Sequence, residues 1–199
     1  MEVFYHGTCR LFDSFDPTRL GSGGGKSKFG HGIYITSSYE TATLYASKVA
    51  KCHGSDCKYV YTLEVPDLTD NNHVFSCKPV NPIVAERLQT ALGETIPEEV
   101  KSLGKFFRKY IGNVLIGNRK TIKQMTGSAS SEAEDAVTKF LNENGVIFLA
   151  WPQAQTKPDG DTNRAVLNAE CIKILKIEQV QTNDKNKLIK GSETLVKEY

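Results

Sequence analysis

The segment from Lys28 to Lys48, KFGHGIYITSSYETATLYASK, constrains this chain more than any other stretch. Its pattern predicts a glycine-rich turn, a short apolar strand, a Thr-Ser-Ser break and then a helix. Ser37 or Ser38 is the expected N-cap, because a serine hydroxyl accepts from the free N–H groups of a first helical turn. Tyr34 on the strand and Tyr45 on the helix are eleven residues apart. This arrangement can bring the two rings together as a slot for a flat heterocycle.

Composition places the chain among ordinary folded proteins. It has 199 residues, 39% of them hydrophobic and 24% charged, which is enough for one domain with a real core. The net charge of +2 gives no global argument for nucleic acid or a membrane surface. No apolar run approaches the ~20 residues of a membrane span, and the first residues do not resemble a signal peptide. We therefore expect a cytoplasmic protein, or one delivered into a host-cell cytoplasm.

The five cysteines are an odd number at irregular spacing. Cys52, His53 and Cys57 together make half of a zinc site, but no second pair follows at ligand spacing. We therefore expect free thiols in a reducing compartment and no metal.

Two sheet-forming parts of the sequence enclose a helical middle. The expected strands cover residues 2–8, 59–65, 146–151, 164–168 and 171–180, and the expected helices run from 38 to about 49 and over 83–92, 98–110 and 131–142, with a weaker signal over 113–125. The sequence thus predicts one domain over 1–182, with a helical insertion at about 76–145. Residues 183–199 are expected to form a polar tail that frays.

Three pieces of the sequence, HGT at 6–8, FGHGIYIT at 29–36 and ATLYA at 42–46, resemble the ADP-ribosyltransferase superfamily. The closest likeness is to its poly(ADP-ribose) polymerase and diphtheria-toxin branch. The resemblance implies an α+β fold with two packed, mainly antiparallel sheets around an NAD cleft. It covers residues 3–8 and 29–46 well and the last strands loosely, and the helical insertion lies outside it.

The resemblance also implies a role for each matching residue. His6 would hydrogen-bond a hydroxyl of the adenine-side ribose of NAD. The backbone of Gly7 would hold the nicotinamide carboxamide, since a residue without Cβ lets the main chain come close, and Thr8 would add a hydroxyl contact. Tyr34 and Tyr45 would sandwich the nicotinamide ring, and stacking of this kind contributes about 1 kcal/mol per pair beyond burial.

The chain departs from the family at the catalytic acid. The family has a glutamate at the start of a late strand, and the strand pattern aligns that position with Asn163, which carries no charge. Three readings remain open: Asn163 replaces the acid, Asp161 on the same face serves instead, or Glu170 is the acid in a different alignment. Without the glutamate, growth of poly(ADP-ribose) chains is not expected.

A second departure lies one turn before Tyr45. The family has a serine that contacts the carboxamide where this chain has Ala42, and Thr41 or Thr8 is the expected replacement. The glycine-rich loop over 21–32 fits a flap over bound NAD, and Gly32 is counted among the cofactor-binding residues. Arg19, just before this loop, is expected to meet the pyrophosphate; the competing interpretation is a solvated basic loop.

The resemblance points to a mono-ADP-ribosyltransferase, a pentosyl-transferring glycosyltransferase that uses NAD as a substrate. A toxin, a secreted effector or a phage-encoded antagonist of host proteins would fit this activity. A macromolecular acceptor is expected. The segment 105–120 mixes basic and aromatic residues and suggests nucleic acid, but the nearly neutral chain favours a protein. The alternatives are an NAD glycohydrolase and a catalytically silent module that binds NAD or ADP-ribose. His31, between two glycines, is expected at the surface.

Overall fold

Eight strands form a single mixed sheet in the computed structural model, which describes residues 1–16, 29–153 and 162–199. The strands are β1 (Glu2–Thr8), β2 (Ile33–Thr36), β3 (Tyr59–Val65), β4 (His73–Phe75), β5 (Phe148–Pro152), β6 (Thr162–Val166), β7 (Lys173–Gln179) and β8 (Thr194–Glu198). Their order across the sheet is β4-β5-β6-β2-β1-β3-β7-β8. Only β4 and β5 run parallel among these neighbours. The protein is therefore of mixed α and β structure, as predicted.

The expectation of two separate sheets is corrected, because the strands are continuous through one backbone pair. β1 and β2 pair only at Tyr5 with Thr36, whereas β1 and β3 pair along seven positions. The sheet thus consists of two four-stranded halves joined by a narrow link. One hydrophobic cluster contains Phe148 of the first half together with Leu63 and Ile177 of the second. The two halves therefore share a core on one face of the sheet.

Helix α1 spans Tyr39–His53. The Ser38 hydroxyl accepts from the backbone N–H of Thr41 at 3.2 Å, which confirms the predicted N-cap. The helix runs four residues beyond the predicted end at Val49. It stops at Gly54, whose φ of +62° suits a residue without Cβ.

The remaining helices lie between β4 and β5: α2 (Pro82–Leu92), α3 (Glu98–Lys101), α4 (Gly104–Leu115) and α5 (Ser131–Glu143). The single helix predicted over 98–110 is wrong, because the chain breaks between α3 and α4. The Gly104 N–H donates to the carbonyl of Lys78, and the Lys105 N–H donates to that of Ser76. These bonds to the neighbouring segment replace the helical bonds that would have continued α3. The weak signal over 113–125 resolves into the end of α4 and a 3₁₀ turn at Ile122–Met125.

The expectation that the chain frays after Thr182 is wrong. Strand β8 pairs antiparallel with β7. Lys197 of β8 and Tyr199, which follows the strand, both donate from their side chains to the Asp13 carboxylate at 2.7 Å.

Helix α1 and the helical insertion cover the same face of the sheet at two different places. The insertion contributes Phe107 and Leu141 to a core that includes Leu149 of β5 and Ala165 of β6. Helix α1 lies against β1 instead, so β2 runs between the two helical layers. Among the described residues, no helix has the length and apolar character needed to cross a membrane.

Candidate functional site

One face of the sheet carries three of the predicted site residues. Tyr5 pairs directly with Thr36, and Thr36 pairs with Asn163. Residues two apart on a strand share a face, and so do directly paired residues. Gly7, Tyr34 and Asn163 therefore lie on a common face, which we call the site face. It is the face that α1 and the insertion cover.

The strands β1 and β2 form a fork at this place. Continuing the register from Tyr5 and Thr36 would set Gly7 opposite Tyr34, but no backbone pair forms there. Instead, His6 Nδ1 lies 2.8 Å from the carbonyl oxygen of Tyr34. Beyond the pair of Tyr5 with Thr36, β1 and β2 therefore form no regular ladder. The backbone of Gly7 and the imidazole of His6 lie at this fork.

His6 is half-buried, and its ring points to the face opposite the site face. It lies 5.3 Å from the ring of Phe15 and 6.2 Å from that of Tyr61, centroid to centroid. Burial lowers the pKa of His6, and the hydrogen bond to the Tyr34 carbonyl opposes this shift in part. A carbonyl only accepts, so Nδ1 carries the proton and Nε2 of the neutral ring remains an acceptor. Such a nitrogen can accept a hydrogen bond from a ribose hydroxyl.

The hydroxyl of Tyr34 makes two hydrogen bonds, and its ring contacts Trp151. Its hydroxyl donates to the carbonyl of Gly30 at 2.8 Å and accepts from the N–H of Phe29 at 3.3 Å. Its ring leans on Trp151 at 5.2 Å between centroids. Burial raises the pKa of the Tyr34 phenol, while the nearby guanidinium of Arg108 opposes the shift. The phenol is therefore neutral at physiological pH and offers a flat apolar surface.

Tyr45 projects from α1 and is 49% exposed. Its helix is held close to β1, because a Cβ on Gly7 would lie only 1.8 Å from the carbonyl oxygen of Ala42. Tyr45 is near enough to Tyr34 to raise the pKa of that phenol further. In the described residues no ring contact joins the two tyrosines directly. The two tyrosines thus belong to contacting elements, α1 and β2, but their rings do not touch.

Asn163 is 6% exposed and lies on the site face between Thr36 of β2 and Trp151 of β5. Its amide makes no hydrogen bond to any described residue. Glu170 is exposed on a 3₁₀ turn that follows the far end of β6, in a groove with Phe15 and Tyr199. Asp161 lies outside the described residues. The structure thus brings Asn163, and not Glu170, to the face of Tyr34.

The other predicted contacts separate into three groups. Thr8 shares the face of His6, and its hydroxyl accepts from the N–H of Arg10 at 3.2 Å, so it does not line the site face. Thr41 does border the site, where its hydroxyl accepts from the amide of Gln153. Gly32 has a packing role, since a Cβ there would lie 2.9 Å from Cβ of Ala165. Arg19 lies outside the described residues.

Sequence reasoning missed Trp151 and Gln153. Trp151 stacks on Phe29 at 4.2 Å with the ring planes 4° apart, and it lies opposite Asn163. The segment VIFLAW was interpreted only as a buried strand, and an unbroken apolar run does not reveal which residues share a face. Trp151 is the single tryptophan of the chain, and this rarity was the feature of the sequence that could have drawn attention to it.

The expectation for His31 is wrong, since this residue is buried. Its Nδ1 bonds the carboxylate of Asp135 at 2.6 Å, and its carbonyl accepts from the Thr138 hydroxyl at 3.3 Å. Two of the cations in the basic segment 105–120, Arg108 and Lys109, are buried. Arg108 pairs with a carboxylate and Lys109 donates to backbone carbonyls, so neither contributes to an exposed basic face.

Comparison of the chain with family models, curated proteins and solved structures finds no match. The interpretation of the site therefore depends on the chain's own residues: the fork with His6 and Gly7, the two tyrosines on contacting elements, and Asn163 on the face of Tyr34.

Proposed function

We propose that this protein is an NAD-dependent mono-ADP-ribosyltransferase that modifies a protein acceptor. The observation that carries the proposal is the shared face of Gly7, Tyr34 and Asn163, together with the contact between β2, which bears Tyr34, and α1, which bears Tyr45. These are the residues for which the resemblance implies contact with NAD, and they come from four separate elements of the chain.

The proposed binding mode follows from the chemistry of each group. Nicotinamide lies between the rings of Tyr34 and Tyr45, which come from the contacting elements β2 and α1. Its carboxamide meets the backbone of Gly7 at the fork, where β1 and β2 leave their ladder. The neutral imidazole of His6 lies on the opposite side of the fork, so it accepts from a hydroxyl of the adenine-side ribose only when the dinucleotide passes through the fork. These contacts fix the dinucleotide on both sides of the glycosidic bond.

The proposed reaction breaks the bond between ribose C1′ and the nicotinamide nitrogen. Nicotinamide leaves with the bonding electron pair, the acceptor's nucleophile forms the new bond to C1′, and its proton passes to solvent. The transition state is cation-like at the ribose, so oriented dipoles near the sugar stabilise it. The amide oxygen of Asn163 is the group on the site face that can supply such a dipole.

Asn163 also favours a second candidate, a silent module that binds NAD or ADP-ribose. An amide dipole stabilises a developing cation less than a carboxylate does, and Asn163 is the group that the structure places on the site face. Binding would then persist while cleavage of the glycosidic bond is lost.

Incubation with NAD labelled in the adenylate part, together with a cell lysate, separates the candidates. The proposed function predicts label on protein bands, together with released nicotinamide, and mass spectrometry then identifies the modified residue. Free ADP-ribose without labelled protein would indicate a glycohydrolase. Protection against heat by NAD without nicotinamide release would indicate the silent module.

A further inference from the structure

The helical insertion contains a buried ion pair that the proposed reaction does not use. Arg108 of α4 pairs with Glu134 of α5, and the two residues are 2% and 3% exposed. Burial lowers the pKa of Arg108 to about 10. Its Nε has no hydrogen-bond partner in the part of the chain that the structure describes. A buried pair of this kind is seldom better for stability than apolar residues of the same volume, which suggests another reason for its presence.

Arg108 packs against Gly30, a residue that contacts Tyr34 of the candidate site. Its Cδ and one terminal nitrogen lie 3.3 Å from the position that a Cβ on Gly30 would occupy. The carbonyl of Gly30 accepts the hydroxyl of Tyr34 at 2.8 Å. Arg108 and Tyr34 are also close enough to shift each other's pKa. The guanidinium therefore packs against the residue that fixes the outer end of the Tyr34 side chain.

Helix α5 holds the adjoining residue as well. Asp135, next to Glu134, bonds the ring of His31, and Thr138 donates to the His31 carbonyl. The segment that precedes Tyr34 is thus attached to the insertion at consecutive positions, while Tyr34 itself belongs to the sheet. The insertion and the site face are connected through this short segment.

We propose that Arg108 and Glu134 are positioning residues, which hold Gly30 so that Tyr34 presents its ring to the nicotinamide slot. The role assigned to Tyr34 rests on the proposed function, but the positioning itself does not. The insertion therefore acts as a brace for the site.

The test replaces the pair by apolar residues, as Arg108→Met with Glu134→Leu. The matched control is Arg119→Met with Glu94→Leu, an ion pair of the same insertion that has an exposed arginine. Three quantities are measured: the unfolding midpoint, the quenching of Trp151 fluorescence by acrylamide, and the affinity for NAD. Trp151 is the only tryptophan and touches Tyr34, so its shielding reports the arrangement of the site without any ligand.

We expect the double variant to unfold within about 3 °C of the wild type, since apolar replacement of a buried pair is close to neutral. Trp151 becomes more accessible to acrylamide, and NAD binds about tenfold more weakly. The control changes neither Trp151 nor NAD binding. Unchanged shielding of Trp151 in a folded double variant would overturn the proposal, whether or not the wild type binds NAD.

A conservative variant decides the matter if the double variant does not fold. Arg108→Lys keeps the charge beside Glu134 but not the planar group that packs on Gly30. The proposal predicts a partial loss of Trp151 shielding in this variant, and wild-type shielding would refute it. Failure of the proposed function is recognised separately, as a wild type whose Trp151 is shielded but which does not bind NAD.

Discussion

Asn163 is the residue that the strand pattern aligns with the glutamate of the family that the chain resembles, and it lies on the same face of the sheet as Tyr34. The two tyrosines differ in how firmly they are held. Tyr34 makes two hydrogen bonds through its hydroxyl, whereas Tyr45 is exposed on its helix. A fixed ring and a free ring suit a slot that opens to admit a ligand. Single-residue changes therefore separate binding from chemistry.

Asn163→Ala is expected to lower turnover more than binding. The amide dipole matters most when positive charge develops on the ribose, so the turnover number should fall about tenfold to a hundredfold with little change in NAD affinity. Nicotinamide release measured over a range of NAD concentrations gives both quantities. Equal turnover in the variant would show that Asn163 does not take the place of the acid, and would move the role to Asp161.

Tyr45→Ala and His6→Ala are expected to abolish stabilisation by NAD. In the wild type, NAD at a hundredfold excess over its dissociation constant adds about 2.7 kcal/mol to the free energy of unfolding. Thermal unfolding with and without NAD measures this gain. The exposed Tyr45 provides the cleaner variant, because its removal should leave the fold intact. Full stabilisation by NAD in both variants would contradict the assignment of the pocket.

The lowered pKa of His6 leads us to expect that the stability of the fold depends on pH. Its pKa in the folded chain lies below the ordinary value of 6.5, so the unfolded chain binds more protons as the pH falls below 6.5. The contribution of His6 is present above that pH and is lost on acidification towards the folded pKa. Denaturant titrations between pH 7.5 and 5.5 should show a smaller loss in His6→Asn than in the wild type. Parallel curves would mean that burial does not disfavour the charged ring.

At the scale of elements, the contact between α1 and β1 sets the position of Tyr45. Gly7 allows the helix to approach, because any Cβ there would meet the carbonyl of Ala42. The motif HGT thus contains a packing requirement in addition to any contact with a ligand. Thr8 follows Gly7 on β1 and therefore faces the opposite side of the sheet, away from the site face.

Gly7→Ala should destabilise the fold by about 1–3 kcal/mol, since the helix must shift to admit the methyl group. The matched control is Gly127→Ala, at a position where nothing lies within 4 Å of the added atom, with an expected change of about 0.5 kcal/mol or less. Denaturant unfolding of both variants measures the difference. A Gly7→Ala protein as stable as the control would show that α1 does not pack closely at this residue.

The elements that sequence alone predicted well are those with a local signal. The Ser38 cap, the alternation of YVYTLEV and the amphipathic pattern of α5 each specify structure within a few neighbouring residues. The break before Gly104 and the strand β8 depend on partners far along the chain, so local pattern misassigned both. For the site, motif spacing selected Tyr34 and Tyr45. The position of Trp151 and the burial of His31 depend on how strands and helices pack together. Local sequence pattern does not reveal that packing.

At the scale of the whole molecule, two half-sheets are joined at one backbone pair, and the candidate site lies where they separate. Helix α1 covers one half, the insertion braces the other, and Tyr34 lies between them on β2. A ligand bound at the fork would contact elements of both halves. Binding is therefore expected to stabilise the molecule as a unit.

The central claim is that His6, Tyr34 and Tyr45 serve one dinucleotide-binding site. The most direct test is a titration of Trp151 fluorescence with NAD, using inorganic phosphate as the control ligand. The account predicts a saturable change with NAD that phosphate does not produce and that Tyr45→Ala removes. No change in Trp151 with NAD, or the same change in Tyr45→Ala, would contradict it.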